Sequence, residues 1–148
     1  MVINLQETHL NSCNELPKEW VNFSHVYRII STFATDTDRF GGITCFINKL
    51  WDVLKIDVLL EGRAQRIKCQ IKASSEIVNI VSIYGTATGS SREKAEFFEN
   101  ILLKIKEENL LNNTFIIGDF NFVNSSLDRN TNKLLPFDIS LRQCVEKK

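Results

Sequence analysis

The chain has 148 residues, of which 43% are hydrophobic and 24% charged, with 18 Lys plus Arg against 18 Asp plus Glu. That length points to one domain able to hide about 68–70% of its unfolded surface, and the composition excludes wholesale disorder. A formal net charge of zero excludes a polyanion recruited by bulk charge, so any nucleic-acid site must be local.

The opening Met1-Val2-Ile3-Asn4-Leu5-Gln6-Glu7 has neither a basic leader nor a long apolar stretch, and no apolar run approaches the roughly 20 residues of a membrane span. The expectation is an intracellular protein, nuclear or cytoplasmic, not secreted and without a membrane partner. Cys13, Cys45, Cys69 and Cys144, with no C-x-x-C pair among them, are then expected to be reduced and mostly buried.

In chain order, residues 2–5 read as an apolar strand that runs into polar Gln6-Glu7-Thr8-His9. Residues 16–20, with Pro17 near the start, suit one helical turn. Residues 27–33 are β-branched and aromatic, a strand. Asp36-Thr37-Asp38-Arg39 is a loop, and Gly41-Gly42 leads into a strand over 43–47. Across 54–60 one parity is wholly apolar: Leu54, Ile56, Val58 and Leu60. After the turn Glu61-Gly62-Arg63, Ile67, Cys69 and Ile71 share a face, while Arg66, Lys68, Gln70 and Lys72 form the other. Such period-two patterning about a short Gly-containing turn predicts a hairpin with one buried and one solvated face.

Residues 77–84 are apolar on both parities apart from Asn79 and Ser82, which predicts a central strand covered on both sides. Ser90-Ser91-Arg92-Glu93 is a capping box, and Ala95, Phe98, Ile101, Leu102 and Ile105 follow at helical spacing, with an end expected near Asn112. Residues 114–117 suggest a short buried strand stopped by Gly118-Asp119, and a last helix is expected from about Pro136 through Cys144. Strands mixed with few helices indicate α/β or α+β layers.

Two carboxylates stand at strand ends. Glu7 follows the first strand and Asp119 the 114–117 strand, in Ile116-Ile117-Gly118-Asp119-Phe120-Asn121. Loops leaving strands aim reactive groups into open space, and Mg²⁺ wants one or two carboxylates plus water and phosphate oxygens. Asn121 adds a neutral donor and acceptor. On spacing alone, surface carboxylates outweigh a metal site about fourfold.

The order of the strings carries more. Leu5-Gln6-Glu7-Thr8-His9-Leu10, Gly41-Gly42-Ile43, Ser82-Ile83-Tyr84-Gly85, the Phe97-Phe98 helix, Gly118-Asp119-Phe120-Asn121 and Leu127-Asp128-Arg129 succeed one another along nearly the whole chain. The sequence thereby resembles the endonuclease/exonuclease/phosphatase superfamily, closest to the endonuclease domain of LINE-type (non-LTR) retrotransposons. The resemblance implies a four-layer α/β/β/α sandwich and a DNA-nicking phosphodiesterase dependent on Mg²⁺ (or Mn²⁺). It places Glu7 as metal ligand, Asp119 as the group that orients or deprotonates the attacking water, and Tyr84 and Asn121 as phosphate contacts. Asp128 and Arg129 match a pair read as a structural loop tether.

The resemblance also implies departures. Family members begin one strand earlier, with an Asn in the site, and continue through a further aspartate to a Ser-Asp-His whose histidine is the acid/base group. Neither His9 nor His25 occupies that position, and Tyr84-Gly85 stands where Tyr-Ala-Pro is usual. Residues 1–148 are thus expected to form a single partial domain with weak or no activity, from an element that would also carry a reverse transcriptase. The alternatives are a non-catalytic remnant serving as a binding module, and a mononucleotide binder using Gly85-Thr86-Ala87-Thr88-Gly89-Ser90 between strand and helix.

Overall fold

Alternating side chains build two facing sheets. The computed structural model describes residues 1–35, 41–107 and 113–121. The first sheet has the order β1-β3-β2, from β1 (Val2–Gln6), β2 (Tyr27–Thr32) and β3 (Ile43–Asn48), all antiparallel. The second has the order β4-β5-β6-β7, from β4 (Trp51–Leu60), β5 (Ala64–Ile71), β6 (Ile77–Tyr84) and β7 (Thr114–Asp119). Its first three strands are antiparallel, and β7 returns parallel to β6 after helix α2 (Ser91–Glu107).

The main core lies between the sheets. Ile43, Cys45 and Ile47 of β3 meet Ile67 and Cys69 of β5 and Val78, Ile80 and Tyr84 of β6. The opposite face of β6 packs Val81 and Ile83 against Phe98, Ile101 and Ile105 of α2. Central strand β6 is therefore covered on both sides, as its two apolar parities require. Each fully buried Ile or Val there is worth roughly 1.5–3 kcal/mol. Outside the first sheet, short helix α1 (Lys18–Val21) sets Trp20 edge-on to Phe46, ring centroids 5.5 Å apart. Helix, sheet, sheet and helix give an α+β arrangement, a partial four-layer sandwich.

The α2 start is the expected capping box. Ser90 donates its amide (2.7 Å) and hydroxyl (2.8 Å) to Glu93 Oε2, and the Glu93 amide donates back to Ser90 Oγ (3.3 Å).

Two expectations fail in the hairpin β4–β5. Arg66, expected on a solvated face, is 3% exposed and donates through Nε (3.0 Å) and Nη2 to Asp57 Oδ2. Leu54, Ile56, Val58 and Leu60, expected as the buried face, are each 44–49% exposed. The cause is position, because among the described residues β4 is the edge of its sheet, which leaves these side chains open. Beside it a groove of about 630 Å³ opens, lined by Arg28, Ile30, Lys49, Val53 and Ile56 among others. A third correction concerns β7. Among the described residues it is an edge strand, with Phe115 59% and Ile116 38% exposed, and it runs through Gly118 to Asp119 instead of stopping before them. The expected loop at 36–39, the end of α2 near Asn112, Asp128, Arg129, Cys144 and the last helix lie outside the described residues.

Candidate active site

Strand ends decide which side chains meet. Strands β6 and β7 run parallel with Tyr84 in register with Asp119, so the two lie side by side at the same end of the sheet, Tyr84 buried and Asp119 exposed. Glu7 leaves the facing sheet one residue past β1. The three come from separate parts of the chain, and the Tyr84 phenol is hydrogen-bonded to Glu7. Tyr84 is 4% exposed. Burial raises its pKa, and the charge and hydrogen bond of Glu7 raise it further, against the opposing pull of Arg63. The phenol thus keeps its proton at neutral pH and serves as a hydrogen-bond donor.

Backbone geometry fixes these groups. Glu7 and His9 have φ of 54° and Asn121 has φ of 50°, the left-handed region that side chains other than Asn and Asp rarely enter. Of five non-glycine residues in that region among the described residues, these three lie in the loops at this end of the molecule. Such strain persists only where surroundings impose it. Here the Thr8 and His9 amides donate to the carbonyls of Gly42 and Gly41 (3.2 Å each), which pins the loop after β1 onto the start of β3. Gly42, φ 106°, has no room for a side chain, since a Cβ would run into Thr8 Oγ1.

The loops after β6 and β7 are joined at Gly85. Its amide donates to the Asp119 carbonyl (2.7 Å), and its own carbonyl accepts from Asn121 Nδ2 (2.7 Å) and Arg63 Nη1 (3.3 Å). The Asn121 amide also donates to Asp119 Oδ1 (2.8 Å), orienting that carboxylate. One side-chain N–H of Asn121 is thereby engaged and a second remains for a ligand. A Cβ on Gly85 would meet the Phe120 carbonyl, which gives the glycine at this position a steric reason.

Arg63 is the residue that sequence reading missed. Its turn was visible, but not that its guanidinium would lie 4.4 Å from the centre of the Tyr84 ring, with 9% exposure. The available signal was register: Tyr84 donates its amide to the Arg63 carbonyl (2.8 Å), so the turn of the β4–β5 hairpin lies beside the end of β6. Beneath the site is a buried polar layer that was equally unseen. Cys45 Sγ meets Ser82 Oγ (2.9 Å), donates to Asn4 Oδ1 (3.0 Å) and accepts from Gln65 Nε2 (3.4 Å), which ties β1, β3, β5 and β6 together. Burial pushes the Cys45 thiol up to about 11, so it stays neutral and acts through hydrogen bonds alone.

Among the described residues no group of three or more His, Cys, Asp or Glu side chains is placed to cage a metal. Exposed Glu7 and Asp119 are instead suited to a cation that keeps most of its water, as Mg²⁺ does when one or two carboxylates and a phosphate hold it. The loop 85–90 does not form a phosphate cradle. Glu93 already accepts the Ser90 amide at the start of α2, where an anion would sit, and Lys94 Nζ donates to the Ala87 carbonyl (2.7 Å).

No known protein-family pattern matches the chain, and no curated protein does. Solved structures do. The APE2 catalytic domain of Xenopus laevis superposes with a TM-score of 0.67 at 18% identity, over 96% of this chain and 58% of that one. An endonuclease/exonuclease/phosphatase from Bacteroides vulgatus gives 0.60 at 22% identity, over 83% and 52%. A mannosyl-6-phosphatase of Bacteroides thetaiotaomicron gives 0.63 at 14% identity, over 97% and 56%. The chain spans about half the length of these structures. Over that half, its two facing sheets have the fold of the endonuclease/exonuclease/phosphatase proteins.

Proposed function

We propose that the chain is part of a divalent-metal-dependent phosphodiesterase, a DNA-nicking endonuclease domain of a LINE-type retroelement whose full product would also carry a reverse transcriptase. The observation that carries this reading is the meeting of Glu7, Tyr84 and Asp119 at one end of the sandwich, through the β6–β7 register and the Tyr84–Glu7 hydrogen bond. Support comes from the L-Q-E-T and G-D-F-N strings and from a fold found in a named endonuclease/exonuclease/phosphatase and in a sugar phosphatase.

In this reading Glu7 would hold Mg²⁺ (or Mn²⁺), which when bound supplies charge stabilisation to the phosphate oxygens. Tyr84, proton retained, would turn its one O–H from the Glu7 carboxylate to a non-bridging oxygen once metal and phosphate occupy the site, and the second Asn121 N–H takes another. Asp119, oriented by the Asn121 amide, accepts the proton of a water lined up on phosphorus. Arg63 holds the Tyr84 ring and the Gly85 carbonyl in place. Within these 148 residues no histidine matches the acid/base group of the resembling family, so the chain assayed by itself lacks that help to the leaving oxygen, typically 10²–10⁴-fold in rate, and its own turnover is expected to be slow.

The test is nicking of supercoiled plasmid in Mg²⁺ by the chain, Glu7→Gln and Asp119→Asn, with Mn²⁺ binding followed separately by electron paramagnetic resonance. The expected result is slow relaxation by the parent alone and weaker Mn²⁺ binding in Glu7→Gln. Plasmid left intact by all three, with Mn²⁺ binding indifferent to Glu7, would leave a non-catalytic binding module.

A further inference from the structure

Strand β4 is ten residues long and pairs through one edge only among the described residues. Its pairing with β5 is unbroken from Lys55 to Val58 and irregular on either side, between Val53 and Lys55 and between Val58 and Leu60. That regular stretch and its flanks expose Leu54 (49%), Ile56 (48%) and Val58 (46%). No proline interrupts it, and a free, apolar strand edge is a template for another strand.

The sequence of this edge is complementary to itself. Leu54-Lys55-Ile56-Asp57-Val58 reads apolar, basic, apolar, acidic, apolar. We propose that two copies of the chain associate by antiparallel pairing of β4 with β4 about a two-fold axis at Ile56. Lys55 then faces the partner subunit's Asp57, Leu54 faces the partner subunit's Val58, and the two Ile56 side chains face each other. Opposite charges meet on one side of the seam and apolar residues on the other. Neighbouring registers lose this match. An axis at Asp57 or at Lys55 sets like charges against each other, an axis at Leu54 leaves both charges against apolar residues, and an axis at Val58 sets Asp57 against the partner subunit's Leu59 and carries Lys55 past the end of β4.

The seam joins two four-stranded sheets into one of eight strands. Without a further contact surface, one strand pair falls well below the ~1,600 Å² of a standard stable interface, so the dimer forms and dissociates with concentration. The inference stands apart from the catalytic reading, because β4 is the opposite edge of its sheet from β7 and Asp119.

The experiment uses the full chain with Cys13 and Cys144 changed to Ser, leaving buried Cys45 and Cys69. Sedimentation equilibrium across the micromolar range is expected to show a monomer–dimer equilibrium. Directly opposed residues have Cα atoms about 4.5–5.5 Å apart, within disulfide reach. Ile56→Cys should therefore cross-link to a covalent dimer under mild oxidant. Two Val58→Cys copies would be offset by four residues, roughly 13 Å along the strand, and should not cross-link. Mixing Val58→Cys with Leu54→Cys restores the bond. Lys55→Glu, which sets two acidic residues face to face at both ends of the axis, should weaken association about tenfold, read well below the variant's own thermal midpoint. A chain that stays monomeric overturns the proposal, whether residues 122–148 or nothing covers the edge. Equal cross-linking of Val58→Cys and Ile56→Cys overturns it, as does association indifferent to Lys55→Glu.

Discussion

Strands β4 and β5 are two arms of one hairpin, alike in alternation, yet they meet opposite environments. In β5, Ala64, Gln65, Arg66, Ile67 and Cys69 are all buried, charged and apolar alike. In β4, four apolar residues of one parity stand nearly half exposed. Strand β5 has a neighbour on each side, a sheet across one face and α2 near the other; among the described residues β4 has one neighbour. Alternation says which residues share a face. Only the number of layers and neighbours says whether that face is wet.

The sharpest way to break the comparison is to add a methyl where strands are hemmed in. Gly118, φ 143°, lies in register with Ile83, and a Cβ there would fall on the Ile83 carbonyl oxygen. Gly118→Ala should cost at least about 3 kcal/mol in urea unfolding, through both the clash and the backbone strain. An unchanged midpoint would mean that β7 does not hold this register against β6, and the placement of Asp119 beside Tyr84 would fall with it.

A direct contrast follows within one cross-strand pair. Ile56 and Ile67 are opposite each other, one 48% exposed and the other 0%. Ile67→Ala should cost about 2–5 kcal/mol, transfer plus cavity, while Ile56→Ala should cost less than about 1 kcal/mol in dilute protein. Equal losses would show that the edge is covered after all.

Much of this was legible beforehand, for identifiable reasons. The strand at 77–84 was plain because burial on both faces demands apolar residues at both parities, and the Ser90–Glu93 cap because its partners are three residues apart. The candidate site was legible only as strings: Glu7, Tyr84, Asp119 and Asn121 are each followed or preceded by recognisable neighbours. Their assembly was not, since it depends on a parallel register set 35 residues apart in sequence, Tyr84 to Asp119. Arg63 and Arg66 show what stays hidden. Arg63 read only as part of the Gly-containing turn and Arg66 as a cation of the solvated face, but one lies against Tyr84 and the other is buried against Asp57. A cation's fate depends on which carboxylate or ring the opposing strand brings, and local pattern holds no record of that.

Asp57 tests the electrostatic side of the contrast. Burial raises its pKa, but the bonds from Lys55 and Arg66 outweigh that and hold it below the ordinary value. Asp57→Asn would leave Arg66 buried without its carboxylate, at a cost of about 2–3 kcal/mol at neutral pH. The folded pKa is depressed, so this stability is present above the unfolded value near ~3.9 and is lost as pH falls through the lower folded value. The gap between parent and variant in urea midpoints should therefore close below about pH 4. A gap that persists there would assign the loss to packing.

The smallest effect belongs to the other cation on the same carboxylate. Lys55 Nζ lies 2.9 Å from Asp57 Oδ1, as close as a good ion pair, but its side chain is 57% exposed against 3% for Arg66. Water already solvates the ammonium, salt screens it, and a long side chain loses rotamer freedom by holding one geometry. Lys55→Met should then shift stability by under about 0.5 kcal/mol in dilute protein, and less at high salt. Two cations on one carboxylate would thus differ severalfold in worth at nearly equal distance, because one is on the β5 side of the hairpin and the other on the open edge. A loss above about 1 kcal/mol would mean that Lys55 is desolvated even in the monomer. The edge would then be closed by the chain itself, and β4 would have to be counted with the interior strands.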